Sequence, residues 1–144
     1  MTGPGPRGRR AVLPALACAL ALAACGGAPD PLRAARDALA AELPQPYFED
    51  LVTESARVEG RMLMLLVRSP GGDADRTRGH ARFGQLHQSE QAQMYELCAL
   101  PAVQALSGSD AVLVRRFVDR HDKLFFETVL PARECAPQTM RSAP

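Results

Sequence analysis

The histidines are His80, His87 and His121. On a continuous helix His80 and His87 share a face, with Glu90 one turn further on, and such a set could line a surface metal site. Two helical turns hold the rings about 10 Å apart along the axis, too far to share one ion unless another element folds between them. No metal is expected. Ser89, Ser107 and Ser109 stand outside any nucleophile-elbow context, and no spacing suggests a Ser-His-Asp set. Gly71-Gly72 lacks the Gly-Lys-Ser element of a phosphate loop. Glu49-Asp50 precedes an extended segment and reads as surface rather than as a glycosidase pair. The chain is therefore read as a protein that is not an enzyme and holds no cofactor. Arg76, Arg78, His80 and Arg82 form a basic patch at the start of a long helix, where positive charge opposes the helix dipole. That placement suggests an anion or an acidic partner, lipid phosphate among them, against the plainer reading of a solvated arginine-rich face.

The cysteines depend on where the chain resides. Three arginines, Arg7, Arg9 and Arg10, precede an apolar run over residues 11–24. The run has the length of a signal-peptide core and is too short to cross about 30 Å of hydrocarbon. At its end, Leu22-Ala23-Ala24-Cys25 resembles the lipobox of bacterial lipoproteins. The resemblance implies diacylglycerol on the Cys25 sulfur, cleavage before it, and a further acyl chain such as palmitate on the new amino terminus. Cys18, after Ala15-Leu16-Ala17, is a rival that lacks the leucine at the required place, and ordinary secretory cleavage is a second alternative. Arg9-Arg10-Ala11-Val12-Leu13 has a twin-arginine look, so the export route stays open between that and the general pathway. Gly26 is not the Asp that resembles an inner-membrane retention signal, which leans towards the outer membrane. Two or three acyl chains, at about 0.8 kcal/mol per buried methylene, would make attachment permanent.

Composition narrows the rest. Of 17 basic residues three leave with the leader, so the mature chain carries 14 against 16 acidic ones, a net charge of −2. Nucleic acid is not an expected partner. Lys123 is the single lysine, and the many arginines read as base composition rather than phosphate clamps. With no Trp, five Phe and two Tyr, the chain has little material for a stacking platform. In an oxidising envelope the two remaining mature cysteines, Cys98 and Cys135, read as a disulfide, with two buried free thiols as the alternative. A loop of about 38 residues so closed contributes roughly 3 to 4 kcal/mol.

The elements that would position these groups follow from pattern. Residues 1–24 form the signal peptide, 25–29 a lipidated tether, 30–136 one domain and 137–144 a disordered tail. Asp30-Pro31 caps a first helix with Leu32, Ala35, Leu39 and Leu43 on one face, and Pro44 and Pro46 end it. Residues 51–58 and 61–68 form a hairpin about Glu59-Gly60, and the run Met62-Leu63-Met64-Leu65-Leu66-Val67 reads as a buried central strand. A long polar helix over residues 75–97 carries Phe83, Leu86, Met94 and Leu97, with Glu90 in the gap of that stripe and Gly79 and Gly84 as weak points. Pro101 opens a short helix with Val103 and Leu106, which Gly108 stops. Residues 111–119 and 124–130 form a second hairpin about Arg120-His121-Asp122-Lys123. The order α-β-β-α-α-β-β predicts an α+β two-layer sandwich, with helices on one face of a four-stranded antiparallel sheet.

Leu43-Pro44, Thr53, Cys98, Phe117-Val118-Asp119 and Cys135 together resemble a group of small exported bacterial domains of unknown function, some labelled quorum-sensing-regulated virulence factors. The resemblance supports the fold. The function expected is that of a lipid-anchored envelope protein, facing the periplasm, that binds another envelope protein as an assembly, piloting or accessory subunit. An immunity or inhibitor lipoprotein is the alternative, with a small hydrolase or ligand carrier behind it.

Overall fold

The computed structural model describes residues 30–135, together with Met1, Gly27 and Ala28. Cys25, with nearly all of the leader, and the tail beyond Cys135 lie outside the described residues. The order of elements is α1 (Pro31–Ala40), β1 (Gln45–Pro46), β2 (Val52–Glu59), β3 (Met62–Arg68), α2 (Ala74–Arg78), α3 (Phe83–Gln93), a 3-10 segment (Met94–Ala99), α4 (Pro101–Gln104), β4 (Val112–Val118), β5 (Leu124–Pro131) and a final 3-10 turn (Ala132–Cys135). No described helix is long and apolar enough to cross a membrane.

The local expectations hold where a single turn or cap decides them. The Asp30 carboxylate accepts from the Leu32 N–H at 3.0 Å with Pro31 in the first turn, and α1 lays Leu32, Ala35 and Leu39 on the core, while Leu43, expected on the same helix, packs there from beyond its end. Gly60, at φ +59°, turns β2 into β3, and Gly108, at φ +81°, ends the run after α4. Positive φ carries no Cβ clash only in glycine.

Sheet order is where the expectation fails. Five strands lie in the order β1-β2-β3-β4-β5, not four, and β3 pairs with β4 in parallel, so the sheet is mixed. The reason is the connection. Each hairpin is locally antiparallel, but the helices between β3 and β4 carry the chain back along the sheet once, as a parallel neighbour requires. The two joined strands are central and largely buried on both faces, which suits a parallel pair. The short β1 adds itself to β2 through Gln45 opposite Thr53 and Pro46 opposite Val52.

Register stacks the helix-facing side chains in three rows. One row runs Val58, Leu63, Leu113 and Leu130, and another Thr53, Val67, Phe117 and Phe126. Between them lies Ala56, Leu65, Arg115 and Thr128. Within the middle row Ala56 and Leu65 join the larger of two apolar clusters, while Arg115 and Thr128 are buried polar residues that interrupt the core. The larger gathers Leu63, Leu113 and Leu130 with Met94, Leu97, Val103 and Leu106 from the helical connection; the smaller is Val67, Phe117 and Phe126.

The long helix expected over residues 75–97 is three pieces. α2 stops at Gly79, residues 79–82 form a bend, and α3 passes into the 3-10 segment at Met94. Both flagged glycines sit at or beside the break, where they lower helix propensity by about 1 kcal/mol each. Met94 and Leu97 are buried, whereas Leu86 is exposed rather than part of an inward stripe.

Cys98 and Cys135 form a disulfide with Cα atoms 5.1 Å apart, tying the 3-10 segment to the turn after β5. At the opposite end Asp119 organises the β4–β5 turn. Its carboxylate accepts backbone N–H groups from His121 at 2.7 Å, Lys123 at 2.9 Å and Ala74 at 3.1 Å. Burial works against that charge, but the three donors outweigh it and hold the carboxyl below its ordinary value. α3 also reaches the sheet edge: the Gln91 amide donates to the Val129 carbonyl at 2.7 Å and accepts from the Val129 N–H at 3.1 Å.

Candidate functional site

The polar middle row leads to the site. Strict alternation along β4 puts Arg115 on the core face between Leu113 and Phe117, and it is 6% exposed. Opposite, α3 turns Glu90 inward at 5% exposure. Tyr47 joins them: its hydroxyl donates to Glu90 Oε2 at 2.5 Å and accepts from Arg115 Nη1 at 2.9 Å. The guanidinium carbon also lies 4.9 Å from the Tyr47 ring centroid, a cation–π distance. Burial, followed by the bond to Glu90, raises the Tyr47 pKa well above the ordinary tyrosine value, while the Arg115 charge works the other way. The hydroxyl therefore remains a donor throughout the physiological range.

Tyr47 is held by a tight turn. Its N–H donates to the Leu51 carbonyl at 2.9 Å and the Leu51 N–H to the Phe48 carbonyl at 2.8 Å, with Glu49 at φ +50°. The turn drives Phe48 outward, leaving it 63% exposed.

Two hollows lie on either side of Tyr47. One, of about 360 Å³, runs from Phe48, Glu49 and Asp50 across Phe117, Phe125 and Phe126 to Leu86 and Glu90. Its floor is an aromatic stack, with Phe117 and Phe126 centroids 4.6 Å apart and Phe83 meeting Phe126 at 5.7 Å. Leu86, 44% exposed, and Phe48 form opposite rims. The other, of about 210 Å³, lies among Leu39, Leu43, Leu65, Leu97 and Leu100, with Arg115 and Thr53 on its sheet side and Glu42 and Glu96 in its walls. In the first hollow the Ser69 hydroxyl donates to Asp50 Oδ2 at 3.5 Å, the longest reach of a hydrogen bond, and no histidine lines either hollow among the described residues.

The basic patch is not assembled as the helix reading implied. Because α2 ends early, Arg76 and Arg78 stand in its last turn, where positive charge suits the dipole. Arg78 donates to Asp75 at 2.9 Å and to the Ala74 carbonyl at 3.3 Å, and Lys123 pairs with the same Asp75. The Lys123 bond, then the Arg78 bond, hold the Asp75 carboxyl below its usual value. His80 and Arg82 are exposed beside Phe83 and Leu86 in a shallow hollow. In that position the helix dipole supplies no reason for an anion beside Arg76 and Arg78.

His80 and His87 share no helix. His87 packs on Phe126 at 5.0 Å, and its Nε2 donates to the Glu127 carbonyl at 2.9 Å. Among the described residues no three His, Cys, Asp or Glu side chains are grouped to hold a metal. Glu90 was visible as a break in an apolar stripe. Tyr47 and Arg115 were not singled out, although Arg115 is in phase with Leu113 and Phe117, the signal that could have found it.

Two solved structures have this fold. A protein of Pseudomonas aeruginosa described as secreted is 20% identical, with a TM-score of 0.55 over 72% of this chain and 88% of its own. EpsS, the pilotin of the Vibrio vulnificus type 2 secretion system, is 16% identical, with a TM-score of 0.50 over 75% of this chain and 94% of its own. At these identities the likeness is one of fold. No protein-family model and no curated protein matches the chain.

Proposed function

We propose that this chain is a lipid-anchored protein of the bacterial envelope, held through Cys25 and facing the periplasm. Its α+β domain binds another protein and performs no catalysis. A piloting or accessory role in a secretion assembly is the form of that role we favour. Three things support the reading. The leader ends in a lipobox-like Leu22-Ala23-Ala24-Cys25. The fold is shared with a type 2 secretion pilotin. The aromatic cleft is rimmed by two exposed apolar side chains, Phe48 and Leu86, and that observation carries the binding claim. Exposed aromatic anchors beside a concave apolar floor are the usual material of binding hot spots.

The rim also describes the partner. Glu49 and Asp50 stand beside Phe48, and Glu90 lies inside. The segment that fits is amphipathic, with apolar side chains for the floor and a basic residue for the acidic rim. Gly26 in place of Asp favours the outer over the inner membrane for the anchored chain.

The test places a photo-crosslinking amino acid at Phe48 in the full chain and irradiates intact membranes. One adduct is expected, abolished by Leu86→Asp and retained by Arg33→Asp, on α1 away from the cleft. Mass spectrometry of the same material is expected to show acylated Cys25 as the first residue. An adduct insensitive to Leu86→Asp would remove the cleft from the function. A mature protein without lipid would remove the anchor.

A further inference from the structure

The pocket of about 210 Å³ on the other side of Tyr47 differs from the protein-binding cleft in the buried side chain that lines it, the guanidinium-bearing Arg115 rather than the carboxyl-bearing Glu90. Bringing a guanidinium under cover costs several kcal/mol unless its donors find acceptors. Arginine has five N–H donors. Among the described residues Arg115 makes one side-chain hydrogen bond, from Nη1 to the neutral Tyr47 hydroxyl, and Glu90 reaches it only through that hydroxyl. Arg115 is also one of the residues that line the pocket. Directly beside it in the ladder is Leu65, and Leu39, Leu43, Leu97 and Leu100 complete an apolar wall. Glu42 and Glu96 give the same pocket two carboxylates, both on exposed residues towards the mouth.

One buried cation, an apolar wall and acids at the opening together describe a ligand. It has a carboxylate at one end, a positive group beside it and a short apolar tail. A simple fatty acid would satisfy Arg115 but meet Glu42 and Glu96 with nothing to offer them. A simple amine would have the reverse difficulty. The volume is below the ~300–1,000 Å³ of pockets for drug-sized molecules, so the ligand is small. We propose that the Arg115 pocket binds a free apolar α-amino acid. The carboxylate takes the unused guanidinium fork, the ammonium faces Glu42 and Glu96, and the side chain packs among the leucines. A carboxylate on arginine is a charge-assisted, bidentate arrangement of the strongest common kind. The same chemistry is presented by the two ends of a short apolar dipeptide, and the test separates that source.

The experiment is calorimetric titration of the purified full chain, disulfide intact, with L-leucine, glycine, leucinamide, N-acetyl-leucine and leucyl-leucine, each to millimolar concentration. Leucine is expected to bind saturably. Leucinamide, without the carboxylate, and glycine, without the tail, are each expected to bind at least about tenfold more weakly. Arg115→Gln should abolish binding. Because that change also touches Tyr47, Glu96→Gln, an exposed position, is the second variant, and it should weaken leucine about two- to fivefold. Tighter binding of leucyl-leucine than of leucine transfers the site to peptides and overturns the free amino acid. N-acetyl-leucine binding as well as leucine does the same for the ammonium contact. Leucinamide binding as well as leucine, or no saturable heat with leucine, overturns the proposal altogether.

Discussion

Tyr47→Phe removes one oxygen and leaves the ring, and that oxygen bridges two buried side chains, Glu90 and Arg115. Its hydroxyl bonds Glu90 at 2.5 Å and Arg115 at 2.9 Å. A hydrogen bond to a charged group contributes about 1.5–3 kcal/mol net, so the two together would approach about 3–6 kcal/mol in a dry interior. This interior is not dry. Glu90 borders the cleft of about 360 Å³ and Arg115 the pocket of about 210 Å³, so water can reach both once the hydroxyl is gone. The edge contact with Phe117 at 5.9 Å survives with the ring. The expected loss is therefore about 2–3 kcal/mol, and urea unfolding should show the midpoint falling by about 1.3–2 M at an m-value near 1.5 kcal/mol/M. The partner readout is a double-mutant cycle with Glu90→Gln, for which a coupling above about 1 kcal/mol is expected. Alkali supplies a third. The folded Tyr47 pKa is raised, so its stabilisation is complete below the ordinary tyrosine value of about 10 and declines as pH rises towards the folded one. The advantage of the wild type over Tyr47→Phe should narrow above about pH 10. A variant within about 0.5 kcal/mol of wild type, or one additive with Glu90→Gln, would refute the bridge.

Three further outcomes are expected. Replacing Cys98 and Cys135 by serine opens a loop with a sequence separation of 37 and should remove about 4 kcal/mol, read as a lower urea midpoint than that of the oxidised protein. Thr128→Val deletes a fully buried hydroxyl whose Oγ1 has no partner and should stabilise by about 1 kcal/mol, measured by thermal unfolding. Because the Asp119 carboxyl is held below its ordinary value, its contribution is present above about pH 3.9 and lost as pH falls through the folded value. Asp119→Asn, which turns an NH2 towards the Ala74 N–H, should destabilise at neutral pH and flatten the acid limb of stability against pH.

What the sequence disclosed was whatever a few neighbouring residues decide. Asp30-Pro31, Glu59-Gly60 and the Arg120–Lys123 turn are local signals, and each sits where it was read. The antiparallel assignment failed because β3 and β4 meet across the whole helical connection, and nothing in either strand's pattern encodes the direction of approach. The continuous helix failed at Gly79, where the propensity cost was visible but the bend was not. The candidate site was half legible. Glu90 marked itself by interrupting an apolar stripe, and the register of Arg115 was readable from its neighbours. Their meeting through Tyr47 was not, because that residue is 43 positions from Glu90 and 68 from Arg115 along the chain.

The Gln91 amide, bonded at both ends to Val129, does the work of a missing neighbour strand. An outermost strand ordinarily offers a row of free N–H and C=O groups, a template on which other chains can aggregate. Here Gln91 occupies two of those groups, the His87 ring a third at Glu127, and Pro131 has no N–H to offer. The opposite rim begins with β1, two residues long and ending in Pro46, and continues along β2 beyond Thr53. Strand addition along β5 is hindered at these positions, which helps copies of this domain stay apart when they are packed densely on a surface.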